Sequence, residues 1–144
     1  MAIKYSEQEM ADKCYEYLKS CGKFDEVKQE IPVFSRCIDL VCVKHPDTDA
    51  CEVVSIEFKL HDWKHAIMQA KDHKIAADRS YVCLPRRKVT PEMRDMLAEY
   101  GIGLLFYDPD AEIPIYEEIP PPEDAPIAIP AFKKQFLRTF HNIH

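Results

Sequence analysis

Arg36-Cys37-Ile38-Asp39-Leu40-Val41-Cys42-Val43 and, a short turn later, Val53-Val54-Ser55-Ile56-Glu57-Phe58-Lys59-Leu60 decide how this chain folds. Both runs are rich in Val and Ile, and the first also holds two Cys, which suits extended backbone. Between them, His45-Pro46-Asp47-Thr48-Asp49 is turn-forming material, so the two are predicted to pair as a hairpin. Each run carries an acid in apolar surroundings. An ionised carboxylate there is costly unless something offsets its desolvation. Side chains alternate along a strand, so Glu57 and Lys59 share one side while Ile56, Phe58 and Leu60 take the other. If Asp39 faces that same side of the neighbouring strand, two carboxylates and an ammonium converge.

Upstream, Ser6 to Cys21 reads as a helix, with Ser6 as its cap and Glu7 and Glu9 in its first turn. Met10, Cys14, Tyr17, Leu18 and Cys21 recur at helical spacing, and Gly22 closes the helix. Asp25–Val33 forms a further extended segment. Downstream, a second helix is expected from Asp62 to about Ala77, with Trp63, Ala66, Ile67, Ala70 and Ala77 as its apolar stripe. Ser80–Leu84 reads as a short buried strand. Thr90 and Pro91 announce a third helix that stops at Gly101. Ile102–Tyr107 is a last strand, and a terminal helix runs from Phe132 to about Phe140. The order αβββαβαβ with a tail is that of an α/β protein with a mixed sheet flanked by helices.

The 144 residues suit one domain, taken as residues 1–108, followed by an extension over 109–144. Three scattered glycines exclude a phosphate-binding glycine loop and a dinucleotide fingerprint. No apolar run suits a membrane span or a signal peptide, so the expected location is cytoplasmic, with no membrane partner. The six cysteines lack a C-x-x-C pair, which leaves a zinc ribbon weakly supported and reduced, mostly buried thiols as the expectation. The net charge of −6 argues at first sight against a nucleic-acid binder. From Asp108 to Phe132, however, the chain holds seven acids, seven of its eleven prolines and no Lys or Arg. The body is therefore close to neutral and carries an acidic, proline-rich strap.

Two carboxylates and a lysine are what phosphodiester hydrolysis asks for. Asp39, Glu57 and the Phe58 carbonyl are hard oxygen ligands for Mg²⁺, for which Mn²⁺ can substitute. Such a metal polarises the phosphoryl oxygen and lowers the pKa of a bound water. Lys59 would orient that water and offset developing charge. A structural cross-strand ion pair is the plainer reading of the same three residues.

Asp39 in one strand, Glu57-Phe58-Lys59 eighteen residues later in its partner, and then a helix bearing Gln69 together resemble the PD-(D/E)XK nuclease superfamily. The likeness spans about residues 5–107 and includes the αβββαβ core order of the restriction-endonuclease-like fold. It implies a metal-dependent nuclease that hydrolyses DNA and leaves a 5′-phosphate. Asp39 and Glu57 would bind metal, Lys59 would assist the attacking water, and Gln69 would support. Ile38 stands where the motif's name has proline, and His73 where RecB-like members carry tyrosine. The family's further acid from the first helix falls on Glu7, or less readily on Glu9, and Glu30 competes for that role.

On the second helix, His61, His65, Gln69 and His73 follow at i, i+4 spacing, either as a stripe facing the cleft or as a solvated face. Lys64, Lys71, Lys74 and Arg86-Arg87-Lys88, with Lys133, Lys134 and Arg138 on the terminal helix, are candidate phosphate contacts. The acidic strap is either a tether or a cover over the cleft in place of DNA. A domain of this size has limited surface for gripping a duplex, so a homodimer is in keeping with the reading. The alternative from another class is a catalytically inactive nuclease-fold module that binds nucleic acid or a protein partner. A third reading is a histidine and thiol metalloprotein.

Overall fold

A computed structural model describes residues 2–33, 36–125 and 128–143. Helix α1 (Glu7–Ser20) starts where the sequence places it. Ser6 Oγ accepts the Glu9 N–H while the Glu9 carboxylate accepts the Ser6 N–H, a reciprocal cap. Strands β1 (Glu26–Val33), β2 (Arg36–Lys44) and β3 (Glu52–Phe58) follow as an antiparallel meander. Helix α2 (Trp63–His73) leads to β4 (Arg79–Pro85), and helix α3 (Pro91–Tyr100) to β5 (Gly103–Tyr107). Each helix is a crossover between parallel strands, since β3, β4 and β5 pair in parallel. The chain finishes with β6 (Ile115–Ile119), antiparallel to β5, and helix α4 (Pro130–His141). The sheet is six-stranded and mixed, in the order β1-β2-β3-β4-β5-β6.

Alternation along the strands sorts the core into two faces. On one, Met10, Cys14 and Leu18 of α1 cover Leu40, Cys42, Ile56, Phe58, Tyr81 and Cys83. On the other, Ala66, Ile67, Met93 and Leu97 of α2 and α3 cover Val82, Leu84, Leu104 and Phe106. Beside them, Phe136 and Phe140 of α4 cover Ile31, Val41, Val43 and Val53. The result is an α/β sandwich of three layers. No helix among the described residues is long and apolar enough to cross a membrane.

The structure departs from the expected elements at three points. Helix α2 ends at His73 rather than about Ala77, because the chain turns there: the Ala76 and Ala77 N–H groups both donate to the His73 carbonyl. Residues 115–119, read as strap, form the edge strand β6. The charged pair Glu117-Glu118 and the flanking prolines hide it in sequence, and such residues are typical of an edge that must not pair further. The terminal helix begins at Pro130 rather than Phe132, and it is docked on the sheet. Lys28 Nζ donates to the Phe140 carbonyl at 2.7 Å and lies 4.5 Å above the Phe140 ring, whose side chain is fully buried.

Of the six cysteines, Cys14, Cys42 and Cys83 are buried and Cys37 is exposed. Phe140→Ala should lower the unfolding free energy by about 3–5 kcal/mol, the usual range for emptying a buried aromatic site. A urea melt measures it, and an unchanged midpoint would mean that α4 is not docked on the sheet.

Candidate active site

The ladder between β1 and β2 skips one position. Gln29 partners Leu40 and Ile31 partners Ile38, leaving Glu30 and Asp39 between them. Glu30 has φ 55, a left-handed conformation that costs a residue with a Cβ. On either side of it the strands change face. Gln29 reaches Asp12 of α1 and Leu40 packs beneath that helix, whereas Ile31 and Ile38 join the core under α4. The irregularity leaves Asp39 half-buried at the point of the switch, where its Oδ2 accepts the Phe58 N–H at 2.8 Å.

Next to it lies Glu57, the residue beyond the last Leu40–Ile56 pair of β2 and β3. Its side chain points to the α2 face and is only 5% exposed. Burial, first, then a hydrogen bond with Asp39 and the charge of Asp39 push the Glu57 carboxyl up to about 9. Glu7 adds to the rise, and the ammonium of Lys59 partly offsets it. Near neutral pH the pair therefore holds a proton that two separate acids in water would have lost.

Glu7 comes from the first turn of α1 and accepts the Leu60 N–H through Oε1 at 3.0 Å, tying that helix to the exit of β3. Glu7, Glu30, Asp39 and Phe58 border one small cleft of about 60 Å³, so both competing acids stand at the site. Lys59 is half-buried and makes no ion pair among the described residues, although its charge reaches Glu57.

Helix α2 closes the other side. Gln69 is half-buried, and its Oε1 has no hydrogen-bond partner. His73 is 2% exposed, with its Nδ1 3.6 Å from Glu57 Oε2. Burial pushes the imidazole down to about 4, against the pull of Asp39 and Asp72, so the ring is neutral. Three of the four buried side-chain atoms that lack a partner among the described residues are Glu57 Oε2, Gln69 Oε1 and His73 Nδ1. Buried polar atoms rarely stay unpaired, so such a concentration calls for a physical explanation. His65 instead lies exposed on the helix, and His61, expected on the same helix, lies exposed just before its Asp62 cap.

The donor set suits a hard cation. Asp39 at the cleft and the neighbouring Glu57 offer carboxylate oxygens, the hard donors that Mg²⁺ and Mn²⁺ prefer. No group of three or more His, Cys, Asp or Glu is gathered to hold a metal among the described residues. Two carboxylates with carbonyl and water ligands are the arrangement Mg²⁺ commonly takes, whereas a closed structural zinc site needs four side chains.

Several basic residues expected to meet phosphate are engaged elsewhere. Lys74 is buried and caps α3, donating to the Gly101 carbonyl at 3.1 Å. Lys64 pairs with Glu92, and Lys133 with Asp78. Lys71 lies over the Tyr100 ring, and Arg86 pairs with Asp108. Lys134 and Arg138 remain exposed on α4. The acidic strap does not border the cleft. Pro122, Asp124 and Ala125 lie instead against the ends of α2 and α3, beside Lys74 and Tyr100. A cover over the site is therefore not what residues 109–125 and 128–143 form.

No family model matches the chain, and no curated protein matches it. Solved structures do. The SPO1766 protein of unknown function from Silicibacter pomeroyi superposes with a TM-score of 0.64 at 18% identity, over 96% of this chain and 86% of that one. EndoMS in a complex with double-stranded DNA gives 0.55 at 19% identity, over 78% of this chain and 48% of the other. A repair endonuclease from Pyrococcus abyssi gives 0.52 at 20%, over 85% and 50%. The chain thus spans about half the length of EndoMS and of the repair endonuclease, and shares their fold.

The buried acid has a measurable consequence. Below pH 4.5, the ordinary value for Glu57, folded and unfolded chains both hold its proton. Between there and about 9 only the folded chain does, so the contribution to stability is lost as pH rises. Between pH 4.5 and 7 the loss comes to about 3 kcal/mol. In the presence of a chelator, wild type should lose that much more stability over this interval than Glu57→Gln does. Parallel pH profiles from urea melts would show that Glu57 ionises normally.

Proposed function

We propose that the chain is a metal-dependent nuclease that hydrolyses DNA phosphodiester bonds. The observation that carries this reading is the approach of Asp39, Glu57 and Lys59 where the β2–β3 ladder stops, with a buried Glu57 oxygen left unpaired among the described residues. Folding gains nothing from an acid pair so desolvated, which favours a functional cause. The fold shared with a repair endonuclease and with a DNA-bound EndoMS supports the same reading.

Asp39 and Glu57, with the Phe58 carbonyl, would hold Mg²⁺ or Mn²⁺. The bound cation would polarise the phosphoryl oxygen and acidify a water. Lys59, which makes no ion pair among the described residues, orients the attacking water and offsets charge that builds on the phosphoryl group. That water adds to phosphorus as the bond to the 3′ oxygen breaks, and the products are a 5′-phosphate and a 3′-hydroxyl that takes up a proton. Glu7 fixes the backbone at Leu60 and so positions Lys59. Gln69 Oε1 accepts a hydrogen bond from the water or the nucleic acid, and Glu30 places Asp39 through its strained turn.

A second reading, an inactive module of the same fold that binds nucleic acid or a protein, is favoured by the net charge of −6 and by the lack, among the described residues, of a cluster of three metal-binding side chains. One experiment separates the two. Linear, nicked, branched and single-stranded DNA are incubated with the protein and Mg²⁺ or Mn²⁺, alongside Lys59→Ala. Metal-dependent cutting should fall by about 10²–10³-fold in the variant, the usual cost of losing a group that stabilises transition-state charge. Equal cutting by both proteins would overturn the assignment of Lys59. No cutting, together with no rise in melting temperature on adding either metal, would overturn the nuclease and favour the inactive module.

A further inference from the structure

The Glu57 and His73 side chains face one another out of reach of solvent, and the site described so far gives the imidazole nothing to do. We infer that His73 is a positioning residue, whose Nδ1–H takes hold of Glu57 Oε2 and orients that carboxylate toward a divalent cation. The inference rests on the metal-dependent reading above and deepens it.

Burial makes the argument. His73 is 2% and Glu57 5% exposed, so bulk water does not satisfy their facing atoms. Neither Nδ1 nor Oε2 has a hydrogen-bond partner among the described residues, and they stand 3.6 Å apart. That is too long for a hydrogen bond, which needs roughly 2.7–3.2 Å, but a small rotation of the carboxyl closes the gap. The ring is the fixed member. His73 ends α2, its carbonyl accepts the N–H groups of Ala76 and Ala77, and buried Ala70, Ala76 and Ala77 hold the turn in place. Glu57 is the side chain free to adjust.

The chemistry of the partner matters as much as its place. A neutral imidazole donates one N–H without bringing a positive charge, so it directs the carboxylate without cancelling the charge that attracts a cation. A lysine or arginine in the same place would compete with the metal for Glu57. A carboxylate held through one oxygen keeps its other oxygen, and its orientation, for the ion, as supporting hydrogen bonds do at many metal centres. Asp39 braces the site from the other side through the Phe58 N–H.

The test uses the full chain and Mn²⁺ as the probe, with binding followed by electron paramagnetic titration. His73→Leu keeps an apolar body in the core and removes the donor, whereas His73→Gln keeps an N–H. Wild type should bind Mn²⁺, the Leu variant should bind about 10–100-fold more weakly, and the Gln variant should recover most of the loss. A purely structural role would lower the melting temperature of the Leu variant and leave its Mn²⁺ affinity at the wild-type level, which overturns the inference. Should the Leu variant fail to fold, ring ¹⁵N spectra of the wild type decide. Addition of Mg²⁺ should shift the His73 Nδ1 signal toward a hydrogen-bonded value, and an unmoved signal overturns the inference. A wild type that binds neither ion overturns the metal-dependent reading itself, and His73 with it.

Discussion

Desolvation of the Glu57 carboxyl is the constraint around which the rest of the site is arranged. The group is 5% exposed and lies in the field of Asp39 and Glu7. An acid so placed keeps its proton or finds a cation, because a bare charge there is too costly. The fold supplies two partial remedies and stops short of either. Lys59 lowers the cost by its charge without forming an ion pair, and His73 approaches to 3.6 Å without forming a hydrogen bond. A chain folded for stability alone would have closed one of these gaps.

The placement follows from how strands end. In the middle of β3 the polar side chain, Ser55, has a partner in Ser80 at 2.8 Å. At its C-terminal end the β2–β3 ladder runs out just before Asp39 and Glu57, and side chains rather than strand partners meet the next backbone donors. Asp39 takes the Phe58 N–H and Glu7 takes the Leu60 N–H. The same carboxylates thus finish the sheet and furnish the cleft, and Glu7 ties α1, 53 residues away in sequence, to the exit of β3. Ligand sites at the carboxyl ends of strands are a general feature of α/β sheets.

Much of this was legible because it depends on local pattern. The cap at Ser6, the strand Arg36–Lys44, the Thr90-Pro91 start of α3 and the left-handed Gly101 at its end all lie where the sequence puts them. Asp39 and Glu57 stood out because charges inside apolar strands have few innocent explanations. What escaped was set by distant contacts. β6 carries charges and prolines and becomes a strand only by pairing with β5. His73 and Lys74 look like part of a solvated helix end, yet the early turn after His73 buries both, one against Glu57 and the other against the end of α3. No periodicity in the chain announces that turn. Whether Glu7 or Glu30 is the supporting acid had no answer in sequence because the structure brings both to the cleft, one by a helix start and the other by a strained backbone.

Charge, the feature that argued most directly against a nucleic-acid partner, takes a different meaning once it is located. The strap acids lie away from the cleft, and two of the acids at and beyond Asp108 have fixed partners: Asp108 pairs with Arg86 and Glu117 accepts from Tyr81. Their fields act over roughly a Debye length and are screened beyond it. The field that matters to a phosphodiester is that of Glu7, Glu30 and Asp39 around the cleft, and it is repulsive. On the proposed reading, a cation bound between Asp39 and Glu57 reverses the sign of that field where the phosphate must sit. The acids that repel the phosphate backbone in the bare protein are then the ones that hold the charge attracting it.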